Sequence, residues 1–469
     1  MAVLAKFLAA TPRYVALLRS QYWKPEQLRD YTEACLVKVL AAASRIPFYR
    51  ERFAAQTKTG DFDCLPVLKR ADVRELNASV RSIHPAGMRL LSDSSSGSTG
   101  LPVEFIFDGA HQRGRNAARA RYLRANGWNP FQRTVWHYAL NQQDQPDADF
   151  VNSRFLPGVS FQHPSNDLDI EIARLVELDP TYLSIYPSNL EWLLRVIEKT
   201  GQKLRSIRLI FTGAEVVDDS LRERASSLLG ARIADNYGST EAFLAWQCPR
   251  GSYHVNAEHV LIEIVDDNDR AVRSGEMGRV LVTTLENRLM PLVRYEIGDY
   301  AVATDGSCGC GRTLPLIGRI AGRAVDLFRM TDGRLVSPYD LISLIKWRPE
   351  IRQFQIVQQE FDRYQLRYVS DRLVSADTET WIRDKFCESL SSRVVVTFER
   401  VPEIARTPAG KFMPARSELF NGADRKRAEV SQWSRPKRHQ VQSHASMITK
   451  EAAASFGSIV GAWSSSVTR

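Results

Sequence analysis

The sequence predicts an α/β protein: a large N-terminal domain with mixed and parallel sheets and a β-rich subdomain, followed by a small C-terminal α+β domain. Three observations predict it. Short buried runs alternate with helical patterns between about residues 181 and 241, closely spaced alternating runs begin near Val260, and the texture changes again near Arg323. Alternation of strand and helix marks βαβ units, whereas short alternating runs separated by turns mark antiparallel sheet.

Residues 23–56 carry Leu28, Tyr31, Cys35, Val37 and Leu40 at roughly helical spacing, which predicts one or two helices broken at Ile46-Pro47. The Arg/Ala-rich segment 111–126 predicts another helix, stopped by Gly127. TYLSIY (181–186) reads as a strand, and Pro187-Ser188-Asn189 opens the helix that follows. IRLIFTG (207–213) reads as a parallel strand whose C-terminal end carries a loop, after which Asp218-Asp219-Ser220 caps a helix closed by Gly230. ARIADNYGSTE (231–241) repeats the strand-then-loop pattern. HVLIEIV, GRVLVTTL and YAVAT then predict antiparallel strands. Between about 324 and 418, strand-like RQFQIVQQ, RYQLRYVS and RVVVTFE pair with helical YDLISLIKW and DTETWIRDKFCESL. The expected division is 1–322, 323–420 and a basic, flexible tail at 421–469, with a short helix at Lys450–Phe456.

The 469 residues carry a net charge of +9, and the tail holds eight Lys or Arg against three acids. A basic balance suits an anionic cofactor, nucleic acid or an anionic surface. The basic residues are scattered through periodic segments without a recognition module, so no nucleic-acid partner is expected. Six cysteines do not suggest a disulfide scaffold. Cys35, Cys64 and Cys387 stand alone among apolar neighbours and are expected in the core. No apolar run approaches the ~20 residues needed to span a bilayer. No cleavage signal follows the N-terminus, and a cytoplasmic enzyme is expected.

Ser92–Pro102 reads SDSSSGSTGLP between MRLL and the strand-like VEFIF. Glycines free the backbone N–H groups of such a turn to wrap a polyphosphate, and the hydroxyls add donors. It lacks the lysine of the common nucleotide loop, and alone it reads equally as a surface linker. Four further segments accompany it in order: YGSTE (237–241), RYEIGD (294–299), GRAVDLF (322–328) and RTPAGK (406–411).

Together these segments resemble the core motifs of the adenylate-forming superfamily, which includes acyl-CoA synthetases, peptide-synthetase adenylation domains and luciferases. IPFYRERF (46–53) and LPVLKRADVREL (65–76) resemble its phenylacetate–CoA ligase branch, including capsule-biosynthesis-type homologues. The resemblance covers about residues 20–418. It implies ATP-dependent activation of a carboxylic acid to an acyl-adenylate, then transfer to CoA. A carrier-protein thiol or an amine is the alternative acceptor, and a non-catalytic nucleotide-binding homologue the alternative class. Ser94, Ser95, Ser96, Gly97, Ser98, Thr99 and Gly100 would hold the β- and γ-phosphates of ATP. Tyr237, Gly238, Ser239 and Thr240 would line the adenine and α-phosphate region, and Glu241 would help bind Mg²⁺. Asp299 would accept from the ribose hydroxyls, Arg323 would assist at ribose or phosphate, and Lys411 would reach the α-phosphate and carboxylate oxygens. Two anions must meet in this reaction, so a cation and Mg²⁺ at the transferring phosphorus make chemical sense. The small domain would act as a lid turning about Val325, where the family usually has Asp or Lys; Gly333 keeps the glycine expected near a thiol channel.

In this superfamily the acyl pocket implies Tyr186, Pro187, Ser188, Phe211, Thr212, Gly213, Ala214, Glu215 and Tyr237, with Trp136, His137 and Tyr138 as an aromatic wall. Mixed aromatic and small residues suit an aromatic acid, although core packing explains Phe211 equally well. A dimer is a candidate oligomeric state. Finally, Cys248 and His254 in CPRGSYH, with Cys308 and Cys310 in SCGCGR, make a complete tetrahedral set for a structural Zn²⁺ if the fold joins them. Unpaired cysteines or a disulfide are the alternatives. His259 is expected to be packed rather than a ligand.

Overall fold

The computed structural model describes residues 12–54, 62–84, 90–94, 103–138, 158–162, 168–405 and 412–420. Ser95–Gly100, Lys411, the 421–469 tail and its expected helix lie outside the described residues.

The centre of the large domain is an eight-stranded sheet. Its strands are β3 (Thr134–Tyr138), β4 (Gly158–Gln162), β5 (Tyr182–Ile185), β6 (Leu209–Gly213), β7 (Arg232–Gly238), β8 (Phe243–Gln247), β9 (Tyr253–Val255) and β13 (Leu316–Ile317), in the order β13-β9-β8-β7-β6-β5-β3-β4. The strands from β4 to β7 are mutually parallel, whereas β7–β8, β8–β9 and β9–β13 are antiparallel. Parallel strands must be buried on both faces, and β5 and β6 are buried throughout. Helices Pro187–Thr200 and Asp219–Leu229 cover one face with Leu190, Leu193, Leu194, Leu221 and Ala225. Their ends follow the sequence: Pro187 opens the first, the Asp218 carboxylate accepts from Leu221 N at 2.9 Å, and left-handed Gly201 and Gly230 close them. Helix Leu168–Leu178 is an addition that the sequence pattern did not reveal.

The β-rich subdomain is a four-stranded antiparallel sheet of β10 (Val260–Val265), β11 (Met277–Thr284), β12 (Tyr295–Val302) and β14 (Ile320–Arg323). A two-stranded hairpin, β1 (Leu91–Ser94) with β2 (Glu104–Phe107), brackets the Ser/Gly segment and pairs Ser94 with Glu104. β2 buries Phe105, Ile106 and Phe107 in a cluster shared with Leu76, Val80 and Tyr295.

The small domain begins with the pair β15 (Phe328–Arg329) and β16 (Leu335–Val336). It then forms a four-stranded sheet ordered β19-β18-β17-β20 from β17 (Gln353–Glu360), β18 (Arg363–Val369), β19 (Val395–Arg400) and β20 (Ala415–Ser417). Its separate core unites Phe328, Ile345, Tyr364, Leu366, Ile382 and Phe386. The two-domain α/β architecture is therefore as expected. One expectation is corrected: Cys64 is exposed, and Cys35 and Cys387 are only half-buried. Short turns and helix edges place these thiols at the margin of the cores.

Candidate active site and metal centre

The C-terminal ends of β3, β5, β6 and β7 lie side by side, where ligands of open α/β sheets bind. Tyr237 stands at the end of β7, and its hydroxyl donates to Asp299 Oδ2 at 2.8 Å. Asp299 pairs in register with Arg323 across β12–β14, and Arg323 Nε lies 3.8 Å from Asp299 Oδ1. Gly298 holds φ at +88°, so the irregularity of the β11–β12 pairing between Glu296 and Tyr300 costs little. These contacts join three motifs that are widely separated in sequence.

Glu241 is buried and accepts a hydrogen bond from Tyr295 Oη at 3.2 Å. Burial pushes its carboxyl above the usual carboxylate range, more than hydrogen bonds from Ser239 and Tyr295 hold it down. A nearby cation would restore the charged form. Ser239 N donates to the Ala242 carbonyl at 2.9 Å and closes the turn.

Among the pocket candidates, Trp136 in the middle of β3 and Tyr186 just past β5 are half-buried, His137 is buried, and Tyr138 ends β3. The Glu215 carboxylate accepts from Ser188 N at 2.9 Å and Ser188 Oγ at 3.2 Å, so it braces the start of helix Pro187–Thr200. Ala214 is left-handed, with φ of +69°. A Cβ on Gly213 would stand 2.6 Å from Asn236 Nδ2, so this crossing needs glycine. Phe211 is 1% exposed, edge-on to Tyr122 at 5.4 Å, and belongs to the core rather than to a cavity wall. Alternation along β6 turns it away from the side on which its neighbour Thr212 meets Asp235.

Sequence reasoning missed Tyr295 and Asp326. Tyr295 lay within RYEIGD, where its place beside the buried Glu241 gave no periodic signal. Asp326 directly follows Val325; burial and then Asp299 push its carboxyl up to about 7, against the pull of Arg323.

At the sheet's other edge, the β8–β9 turn and the loop after β12 converge. Cys248 Sγ lies 3.6 Å from Cys308 Sγ, Cys310 Sγ lies 3.3 Å from His254 Nε2, and all four donors fall within 4.8 Å of one another. Zn–S and Zn–N bonds of ~2.3 and ~2.0 Å in a tetrahedron give donor–donor edges of about 3.5–3.8 Å, so the set fits the ion. Burial lowers His254 to about 4, leaving a neutral imidazole at pH 7. Left-handed Gly251 shapes the first turn, and its N–H donates to the Cys248 carbonyl at 2.8 Å. His259 is packed elsewhere, with Nδ1 2.5 Å from Glu286 Oε2.

These features define a large α/β domain followed by a small α+β domain, with Tyr237, Asp299 and Arg323 meeting where the two join. The AMP-binding enzyme family matches residues 158–286, and the CapK C-terminal domain matches residues 328–416. The phenylacetate–coenzyme A ligase of Thermus thermophilus is 25% identical over 414 residues, covering 80% of this chain and 92% of that protein. The structure of a 2-hydroxyisobutyryl-CoA ligase with its acyl-adenylate aligns with a TM-score of 0.68 at 20% identity, covering 88% of this chain and 96% of that one. An anthranilate CoA ligase aligns with a TM-score of 0.54 at 18% identity, covering 72% and 70%. The chain is acyl-CoA-ligase-like, related to the adenylate-forming superfamily through phenylacetate–CoA ligase and CapK-type domains.

Proposed function

We propose that this protein is an AMP-forming acid–thiol ligase that couples a carboxylic acid to CoA through an acyl-adenylate. The observation that carries the proposal is the convergence of Tyr237, Asp299 and Arg323 beside buried Glu241. Asp299, oriented by the Tyr237 hydroxyl, would accept from ribose hydroxyls. Arg323 adds positive charge at the same edge. Glu241, with Ser239 and Thr240 beside it, would hold Mg²⁺, which when bound neutralises charge on the phosphates during attack by the carboxylate. The Ser94–Gly100 turn would donate to the β- and γ-phosphates, and Lys411 would bridge the carboxylate and α-phosphate from the small domain. With a domain boundary at 322/323, that lysine would ride on a lid able to turn at Val325.

The acid is proposed to be aromatic, since Trp136 on β3 and Tyr186 just past the neighbouring β5 stand half-buried. Fold relatives include ligases named for a short hydroxy acid and for an aryl acid, so the test must span both. Cys248, His254, Cys308 and Cys310 would hold a structural Zn²⁺, leaving no coordination position for substrate.

The test is ATP–pyrophosphate exchange across aryl, arylacetic and short hydroxy acids, with Lys411→Ala alongside. Acid-dependent exchange by the wild type, lost in Lys411→Ala, is expected. Absence of exchange with every acid overturns the adenylation proposal. Adding CoA, a carrier protein or amines with the best acid then identifies the acceptor.

A further inference from the structure

Helix Gly109–Ala125 leaves β2 directly: Phe107 ends the strand, and Asp108 caps the helix by accepting from His111 N at 2.8 Å. His111 and Arg115 are one helical turn apart and share a face. His111 Nε2 lies 3.0 Å from the Glu241 carbonyl oxygen, and Arg115 Nη1 donates to the Thr240 carbonyl at 3.2 Å. Two adjacent carbonyls of YGSTE are thus held by two consecutive turns of one helix. Arg115 Nη2 also lies 3.8 Å from Asp93 Oδ2 on β1. The helix is therefore continuous with one strand of the β1–β2 hairpin and ion-paired to the other.

The protonation state of His111 follows from its surroundings. It is wholly buried, and burial, then His259 and Arg115, lower its basicity well below that of an ordinary histidine. The neutral ring must carry its proton on Nε2 to donate to a carbonyl, which cannot itself donate. The ring is wedged between Phe107 and His259, with centroids 5.0 and 4.6 Å away. His259 is held by Glu286, which Arg13 Nε engages at 2.8 Å. Gly114 sits mid-helix, where glycine is unfavourable, because a Cβ there would lie 1.7 Å from Glu286 Oε2. Helix and support are therefore in direct contact.

We propose that His111 and Arg115 are positioning residues of the adenylation centre. They form a two-point clamp that fixes Thr240 and Glu241 relative to the hairpin bracketing the polyphosphate turn. Neither needs to touch the reacting atoms. A phosphate turn and a metal-binding carboxylate must act on the same triphosphate, and errors of about 1 Å in such placement cost on the order of a hundredfold in rate. The clamp ties the two motifs through one rigid helix instead of two independent loops. This inference rests on the proposed adenylation function.

The test uses the full chain and the variants Arg115→Met, Arg115→Lys and His111→Phe. His111→Phe preserves the aromatic stack while deleting the hydrogen bond. The readouts are KM for Mg·ATP, KM for the acid, the Mg²⁺ concentration for half-maximal exchange, Mg·ATP affinity by calorimetry without acid, and thermal unfolding. Arg115→Met is expected to raise KM for Mg·ATP about tenfold with KM for the acid unchanged, and Arg115→Lys to recover part of this loss. His111→Phe is expected to raise the half-maximal Mg²⁺ concentration. The double variant should lose less than the product of the single losses, because both act on one loop. Wild-type Mg·ATP parameters in folded Arg115→Met and His111→Phe overturn the clamp. Should the wild type show no exchange but bind Mg·ATP, the adenylation proposal fails, and calorimetry on the same variants decides the clamp. Absence of Mg·ATP binding by the wild type overturns both.

Discussion

Replacing Lys346 with methionine should loosen the small domain from the large one while leaving each domain folded. Lys346 follows helix Tyr339–Ile345, and its ammonium crosses to the large domain, 2.5 Å from Asp218 Oδ2 and 3.8 Å from Glu191 Oε2. Its side chain is 3% exposed. Beside it, Trp347 Nε1 donates to Ser220 Oγ at 2.9 Å, and the Arg224 guanidinium lies 4.1 Å from the indole centre. Burial opposes charge on Asp218, but Lys346 and hydrogen bonds from Ser220 and Leu221 hold its carboxyl below the usual range. The Lys346→Met change would retain most of the aliphatic packing and delete the charge. Removing one member of a buried ion pair costs about 3–5 kcal/mol because the partner stays uncompensated. Here Glu191 is 25% exposed and can be hydrated as the interface opens, so the low end, about 3 kcal/mol, applies. That shifts the docked-to-undocked ratio about a hundredfold. Hydrogen-exchange mass spectrometry should show faster exchange in Tyr339–Ile345 and in the first turn of Asp219–Leu229. The strands of each sheet should keep their protection. Unchanged exchange at both helices, or a uniform increase throughout the chain, would show that Lys346 does not hold the domains together.

Asp326→Asn should remove a pH dependence. The folded-state value of about 7 exceeds the unfolded value near 4, so the folded chain retains a proton that the unfolded chain has released. This contribution to stability is full below about pH 4 and is lost as pH rises toward 7; thermal melts should show the variant gaining on the wild type across that window. Gly114→Ala should destabilise by about 1–3 kcal/mol by denaturant unfolding, since the Cβ collision with Glu286 outweighs the ~1 kcal/mol gain in helix propensity. Purified protein should contain about one zinc per chain, and Cys308→Ser should lower both the zinc content and the melting temperature; unchanged values would remove the metal assignment. Tyr237→Phe should weaken ATP binding more than acid binding, because it frees Asp299 to move; equal effects on both KM values would contradict the role given to that hydroxyl.

Much of this architecture was legible from local chemistry. The Asp218 cap, left-handed Gly230 and the Pro187 helix start are decided within a few residues, so sequence predicts them directly. The short apolar runs of β10 and β11, bounded by turn residues, are equally local. The cysteine and histidine donors were recognisable by type because four such ligands form a chemically complete set. Helix Leu168–Leu178 escaped because its LDIEI start alternates apolar and acidic residues with the two-residue period of a strand, although Ser165, Asn166 and Asp167 precede it, and Cys64 was misplaced because apolar neighbours in a short turn do not guarantee burial.

The order of motifs, the change from parallel to antiparallel texture and the donor chemistry of each candidate site are written in the chain. Which groups meet is a property of the folded molecule. It assigned Phe211 to the core, gave Glu215 to the start of a helix, brought Tyr295 against Glu241, and joined His111 and Arg115 to adjacent carbonyls. Capping and periodicity depend on neighbours along the chain, whereas the burial, charge pairing and ring stacking that tune a site depend on groups distant in sequence.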